Sequence, residues 1–102
     1  MKLNDIYMNK TKGNLIQIDS YATKMGKGKD SIIVFRILSN DGYSCCSFNG
    51  YGKKEEIENE YELLIPQKDV TKYYKYDESY NVIGIDYVSI FSYACDVFNK
   101  KT

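Results

Sequence analysis

Apolar and polar positions alternate through the first half of the chain and recur at three- and four-residue intervals near its end, which predicts strands followed by a helix. DIYMN (5–9) reads as a short strand, and NKTKGN behind it supplies turn residues. Over LIQIDSYATKM (15–25), Ile16, Ile18 and Ala22 fall on one face of an extended chain and Gln17, Asp19 and Thr23 on the other. GKGKD (26–30) has the chemistry of a hairpin connection. SIIVFRILS (31–39) is β-branched and apolar on both faces, as expected of a strand covered from both sides. Asn40-Asp41-Gly42 predicts a tight turn, and YSCCSFN (43–49) a further strand that Gly50 and Gly52 bend to a close.

Two readings compete over KKEEIENEYELLIP (53–66). Ile57, Tyr61 and Leu64 have helical spacing, whereas Tyr61, Leu63 and Ile65 suit a strand. A helical turn followed by a strand that stops at Pro66, the only proline, reconciles them. PQKDVTKYYKY suits the start of a short helix. The strongest helical signal is near the C-terminus. Asp86 is a fitting N-cap, and Tyr87, Ile90, Phe91, Ala94, Val97 and Phe98 then form one apolar stripe. Ser89, Ser92, Asp96 and Asn99 lie mostly opposite, and Lys100-Lys101 complement the negative end of the helix dipole.

These elements predict a mainly β (α+β) fold: a small curled antiparallel sheet or SH3-like barrel of about five strands, with a C-terminal amphipathic helix over 86–99. Closure into a barrel would remove exposed edges. A chain of 102 residues suits one domain over 1–102, with the β-barrel at approximately 3–65 and a Tyr-rich extension at 66–102. Gly13-Asn14-Leu15-Ile16-Gln17-Ile18, Ile33-Val34-Phe35-Arg36-Ile37-Leu38 and the aromatic-bearing run Tyr43 to Phe48 together resemble the strand pattern of small bacterial SH3-like single-barrel proteins of uncharacterised function. The resemblance spans residues 3–65 and implies a barrel, but carries no catalytic residue. Cys45-Cys46 stands where that pattern has bulkier residues.

Composition narrows the setting. No apolar run reaches the roughly 18 residues of a membrane span, and the opening MKLNDIYMNK lacks an apolar signal segment. Three cysteines make a poor disulfide framework, so a cytoplasmic location without membrane contact is expected. The zero net charge conceals an asymmetry: residues 1–54 carry nine basic and four acidic side chains, residues 55–102 five basic and ten acidic. Opposed halves can pair within one domain or between copies in a homo-oligomer. Thirteen Lys against one Arg, with 11 Tyr and abundant Ile and Asn, match A/T-rich codons and suggest a low-GC bacterium or one of its phages or mobile elements.

The chain contains no histidine, so the usual neutral-pH proton shuttle and the nucleophile pairs that depend on it are missing. No C-x-x-C occurs, and three cysteines cannot build a four-cysteine zinc site. Strand alternation would turn Cys45 and Cys46 to opposite faces. Gly26-Lys27-Gly28-Lys29 lacks the Ser/Thr and the following helix of a phosphate loop. No catalytic residue, metal ligand or cofactor is therefore assigned, and a non-catalytic protein is expected.

Binding has better material. Tyrosine offers a rigid apolar face with a polar tip, favourable at protein interfaces. Tyr43, Phe48, Tyr51, Tyr73, Tyr74 and Tyr76 are candidates for a protein partner, with Glu55, Glu56 and Glu58 as an acidic patch. Such a patch would suit an inhibitor of a nucleic-acid-processing host enzyme or defence system. The alternative is a nucleic-acid-binding barrel that uses Lys24, Lys27, Lys29, Arg36, Lys53 and Lys54 on phosphates. A Cys-dependent enzyme is the third class, and would require a pocket joining Cys45 or Cys46 to a carboxylate and a lysine.

Overall fold

The structure, a computed structural model, describes residues 2–23, 31–38 and 49–100. Strands β1 (Ile6–Asn9), β2 (Leu15–Thr23), β3 (Ser31–Ile37), β4 (Asn49–Lys53) and β5 (Tyr61–Ile65) form one antiparallel sheet in the order β4-β3-β2-β1-β5. Helix α1 (Lys54–Glu60) joins β4 to β5. After Pro66 come a single helical turn, α2 (Gln67–Val70), a 3-10 turn at Thr71–Tyr73, and a separate hairpin of β6 (Tyr74–Tyr76) and β7 (Val82–Ile85). The last element is α3 (Tyr87–Lys100).

The helical turn and strand expected over 53–66 are present, as is the C-terminal helix. Of the two sheet forms expected, the open one is found: β4 and β5 are the edges, and no pairing joins them among the described residues. The hairpin connection at 26–30, the turn at 40–42 and the strand residues 43–48 lie outside the described residues. Among those described, no helix is long and apolar enough to cross a membrane.

Register decides what each face buries. Ile6 pairs with Gln17, Tyr7 with Ile16 and Met8 with Leu15, so neighbours in sequence are sent to opposite faces. Ile6, Met8, Leu15 and Ile65 share a core with Leu38, Val70, Ile90 and Ala94, roofed by Tyr73, Tyr74, Tyr87, Phe91 and Phe98. This core draws on residues from both sides of Pro66. On the other face Tyr7, Ile16, Ile18, Ile33 and Ile57 cluster with Phe35 and Tyr61. Each fully buried aliphatic side chain contributes about 1.5–3 kcal/mol of transfer free energy.

Alternation in β2 correctly turns Gln17 away from Ile16 and Ile18, but that face is not solvent. The Tyr87 hydroxyl donates to Gln17 Oε1 at 2.8 Å, and Gln17 Nε2 donates to the Asn4 carbonyl at 3.4 Å. The buried amide thus ties α3 to the sheet without an orphaned polar group. Buried Asp5 acts similarly: the Gln67 N–H donates to its Oδ1 at 2.6 Å and the Lys2 N–H to its Oδ2 at 2.8 Å, pinning α2 beside β1.

At the start of α3, Asp86 caps as its position implies. The Ser89 N–H donates to Asp86 Oδ1 at 3.1 Å and the Ser89 hydroxyl to Oδ2 at 2.7 Å. The apolar stripe then faces the sheet, with Ile90 and Ala94 fully covered.

Gly50 and Gly52 do not end a strand. They lie inside β4, opposite Phe35 and Ile33. A Cβ on Gly50 would stand 2.5 Å from the Phe35 ring, so the bare glycine backbone is what lets that ring lie across the strand. Gly52 is less constrained, since a Cβ there would meet nothing closer than 3.7 Å.

Candidate functional site

The hairpin β6–β7 and its turn expose four large apolar side chains, Tyr76, Tyr80, Val82 and Ile83. Tyr74 pairs with Ile85, and both pack on the core beneath them. Farther out, Lys75 pairs with Gly84 and Tyr76 with Val82, leaving Ile83 as an extra residue in β7. A bulge of this kind bends its strand and re-aims the side chain it carries. Ile83 is 65% exposed, Tyr76 52% and Val82 53%.

The turn that closes the hairpin is organised by Asp77. Its Oδ1 accepts from the Ser79 and Asn81 N–H groups at 2.8 and 2.9 Å, and its Oδ2 from Asn81 Nδ2 at 3.4 Å. These bonds, led by the Asn81 backbone N–H, hold the Asp77 carboxyl below its ordinary value. Tyr80 occupies the tip with φ of 63° and is 85% exposed. A left-handed backbone costs a residue with a bulky side chain about 1–2 kcal/mol. The tip therefore displays an aromatic ring on a fixed and strained turn rather than on a loose loop.

A second aromatic site lies where the open sheet fails to close. Phe35 from β3, Tyr51 and Gly52 from β4, Glu56, Ile57 and Glu60 from α1, and Tyr61 from β5 line a cleft of ≈ 400 Å³. Ile57 is its buried floor, whereas Tyr51 is 78% exposed at its rim. The Tyr61 hydroxyl is held by Asn14 Nδ2 at 3.3 Å. Glu56 Oε2 reaches back over β4, 3.8 Å from where a Cβ on Gly52 would lie. Lys54 turns instead to Glu58 at 3.8 Å, and Lys10 Nζ donates to the Glu58 and Asn59 carbonyls at 3.1 and 3.3 Å.

The residues singled out in the sequence thus separate. Tyr51 and Glu56 meet at the cleft, while Glu55 and Glu58 are exposed elsewhere on α1. Tyr73 and Tyr74 are half-buried against the core, and Tyr76 is exposed on the hairpin. Arg36 makes an ion pair with Asp19 at 3.3 Å, and Lys53 and Lys54 are exposed at the start of α1. Tyr43, Phe48, Lys24, Lys27, Lys29, Cys45 and Cys46 lie outside the described residues.

Sequence reasoning counted Tyr80 among the dense C-terminal tyrosines suited to an interface without making it a site residue, and passed over Val82, Ile83, Phe35 and Tyr61 as surface or cleft residues. Only the dense tyrosines of TKYYKYDESYN and the adjacent apolar pair Val82-Ile83 signalled Tyr80, Val82 and Ile83. Cys95 is exposed, beside a cavity of ≈ 270 Å³ between Leu15 and the Phe91 and Phe98 rings. Among the described residues, no three Cys, Asp or Glu side chains group closely enough to hold a metal ion. No protein-family model matches the chain, and comparison with curated proteins and with solved structures likewise gives no match.

Proposed function

We propose that this chain is a small non-catalytic protein-binding module that engages a protein partner with its β6–β7 hairpin. The observation that carries the reading is the exposed group Tyr76, Tyr80, Val82 and Ile83, with Tyr80 held in a left-handed conformation by the Asp77 turn. Apolar groups displayed together on a soluble surface mark interaction sites, and a pre-formed turn lowers the ordering cost of binding. The more specific reading is a cytoplasmic inhibitor from a phage or mobile element, acting on a nucleic-acid-processing enzyme. It is supported by the A/T-rich coding signature and by the exposed carboxylates Glu55 and Glu58 on α1.

The test is affinity capture from the producing cell with three baits: the unaltered chain, a Tyr80→Ala/Ile83→Ser double variant, and a Ser92→Ala control on the outer face of α3. A stoichiometric partner retained by the control and reduced at least about tenfold by the double variant is the expected result. Equal recovery on all three baits removes the hairpin from the account. Light scattering over a concentration series distinguishes a second copy of the chain as the partner.

A further inference from the structure

We propose that the cleft between β4 and β5 receives a cationic side chain, an arginine or lysine from a basic segment of a partner polypeptide. This site stands apart from the hairpin and does not depend on its role. Two aromatic side chains packed on the Ile57 cluster, Phe35 and Tyr61, and two carboxylate-bearing residues, Glu56 and Glu60, line one opening of ≈ 400 Å³, with Tyr51 at its rim. Aromatic faces attract cations through their quadrupole, and the attraction strengthens as the cation loses water. An opening of this size admits a guanidinium or ammonium on its methylene stem, with the stem against Ile57 and the rings and the head between the carboxylates.

The charge balance points the same way. Among the described residues neither Glu56 nor Glu60 enters an ion pair. Lys54 is directed to Glu58 and Lys10 to carbonyls at the end of α1. The two carboxylates at the cleft are thus left for an external cation. Backbone geometry prepares the walls: Gly50 admits the Phe35 ring across β4, and Asn14 holds the Tyr61 hydroxyl.

Blocked tripeptides Gly-Arg-Gly and Gly-Lys-Gly, with Gly-citrulline-Gly as the uncharged near-isostere of the first, are titrated into isotopically labelled protein and followed by NMR. Saturable shifts on Phe35, Tyr61, Glu56 and Glu60, with ring-current shifts on the ligand's side-chain methylenes, are expected for the charged peptides. Citrulline should bind at least about tenfold more weakly, and added salt should weaken the charged peptides. Glu56→Gln and the pair Glu56→Gln/Glu60→Gln, at exposed positions, should each reduce affinity several-fold without altering the rest of the spectrum. Absence of saturable shifts, citrulline binding as well as arginine, or variants that bind unchanged would each overturn the proposal. Tyr80→Ala should leave this titration unaltered, so failure here and failure of the hairpin reading are separate results.

Discussion

The two faces of the main sheet are covered unequally. On one, a fourteen-residue α3 with α2 seals Ile6, Met8, Leu15 and Ile65 beneath aliphatic and aromatic side chains. On the other, the seven-residue α1 covers a smaller cluster through one fully buried residue, Ile57, and leaves the aromatic cleft beside it. The same contrast recurs along the tyrosines: Tyr73, Tyr74 and Tyr87 roof the sealed core, while Tyr51, Tyr76 and Tyr80 project into solvent. Residue type is the same in both sets. What separates them is whether the ring packs on the core that Ile6 and Ile90 share.

The largest expected difference is between Ile90→Ala and Ile57→Ala. Removing Ile90 leaves a closed cavity and should cost about 4 kcal/mol, whereas Ile57 borders an opening that can collapse or hydrate, for about 2 kcal/mol. Urea unfolding of both variants measures this, and equal losses would erase the distinction between the faces. Next is Gly50→Ala, which should cost about 1–3 kcal/mol by driving the Phe35 ring off β4. In a Phe35→Ala background the same change should become nearly neutral, and a double-mutant cycle without that coupling would contradict the packing described.

Asp86→Ala should lower stability by a smaller amount through loss of the α3 cap. The Ser89 side-chain and backbone hydrogen bonds hold the folded Asp86 carboxyl below its ordinary value of 3.8. Its contribution is therefore full above that value and is lost as pH falls through the lower folded-state value. Thermal melts of the variant and the unaltered chain should converge as pH is taken below 3.8, and a gap that widens there would reverse the sign. Smallest of all is Tyr51→Ala, expected within about 0.5 kcal/mol of the unaltered chain because the ring is already in solvent.

Much of the sheet could be read directly, because alternation in β1, β2 and β3 and the stop at Pro66 are local signals. The α3 stripe and its Asp86 cap were equally plain, since 3- and 4-residue spacing does not depend on the rest of the fold. Gly50 and Gly52 misled for the opposite reason. Glycine signals a bend in isolation, but here its value comes from Phe35, fifteen positions earlier, lying across it. The hairpin was missed because its strands are three and four residues long, with no Asn-Gly or Asp-Gly between them. Asp77 and the anchoring of Tyr74 and Ile85 on a distant core make it instead. The cleft likewise draws on β3, β4, α1 and β5, so no stretch of sequence announced it.

The central claim is that exposed aromatics on the hairpin, and not the outer face of α3, meet the protein partner. A photoreactive phenylalanine analogue placed at Tyr80 in one sample and at Ser92 in another, irradiated in the producing cell, tests it most directly. A discrete cross-linked species from position 80 and none from position 92 is the result predicted. Cross-linking from position 92 alone, or none from position 80, would contradict it.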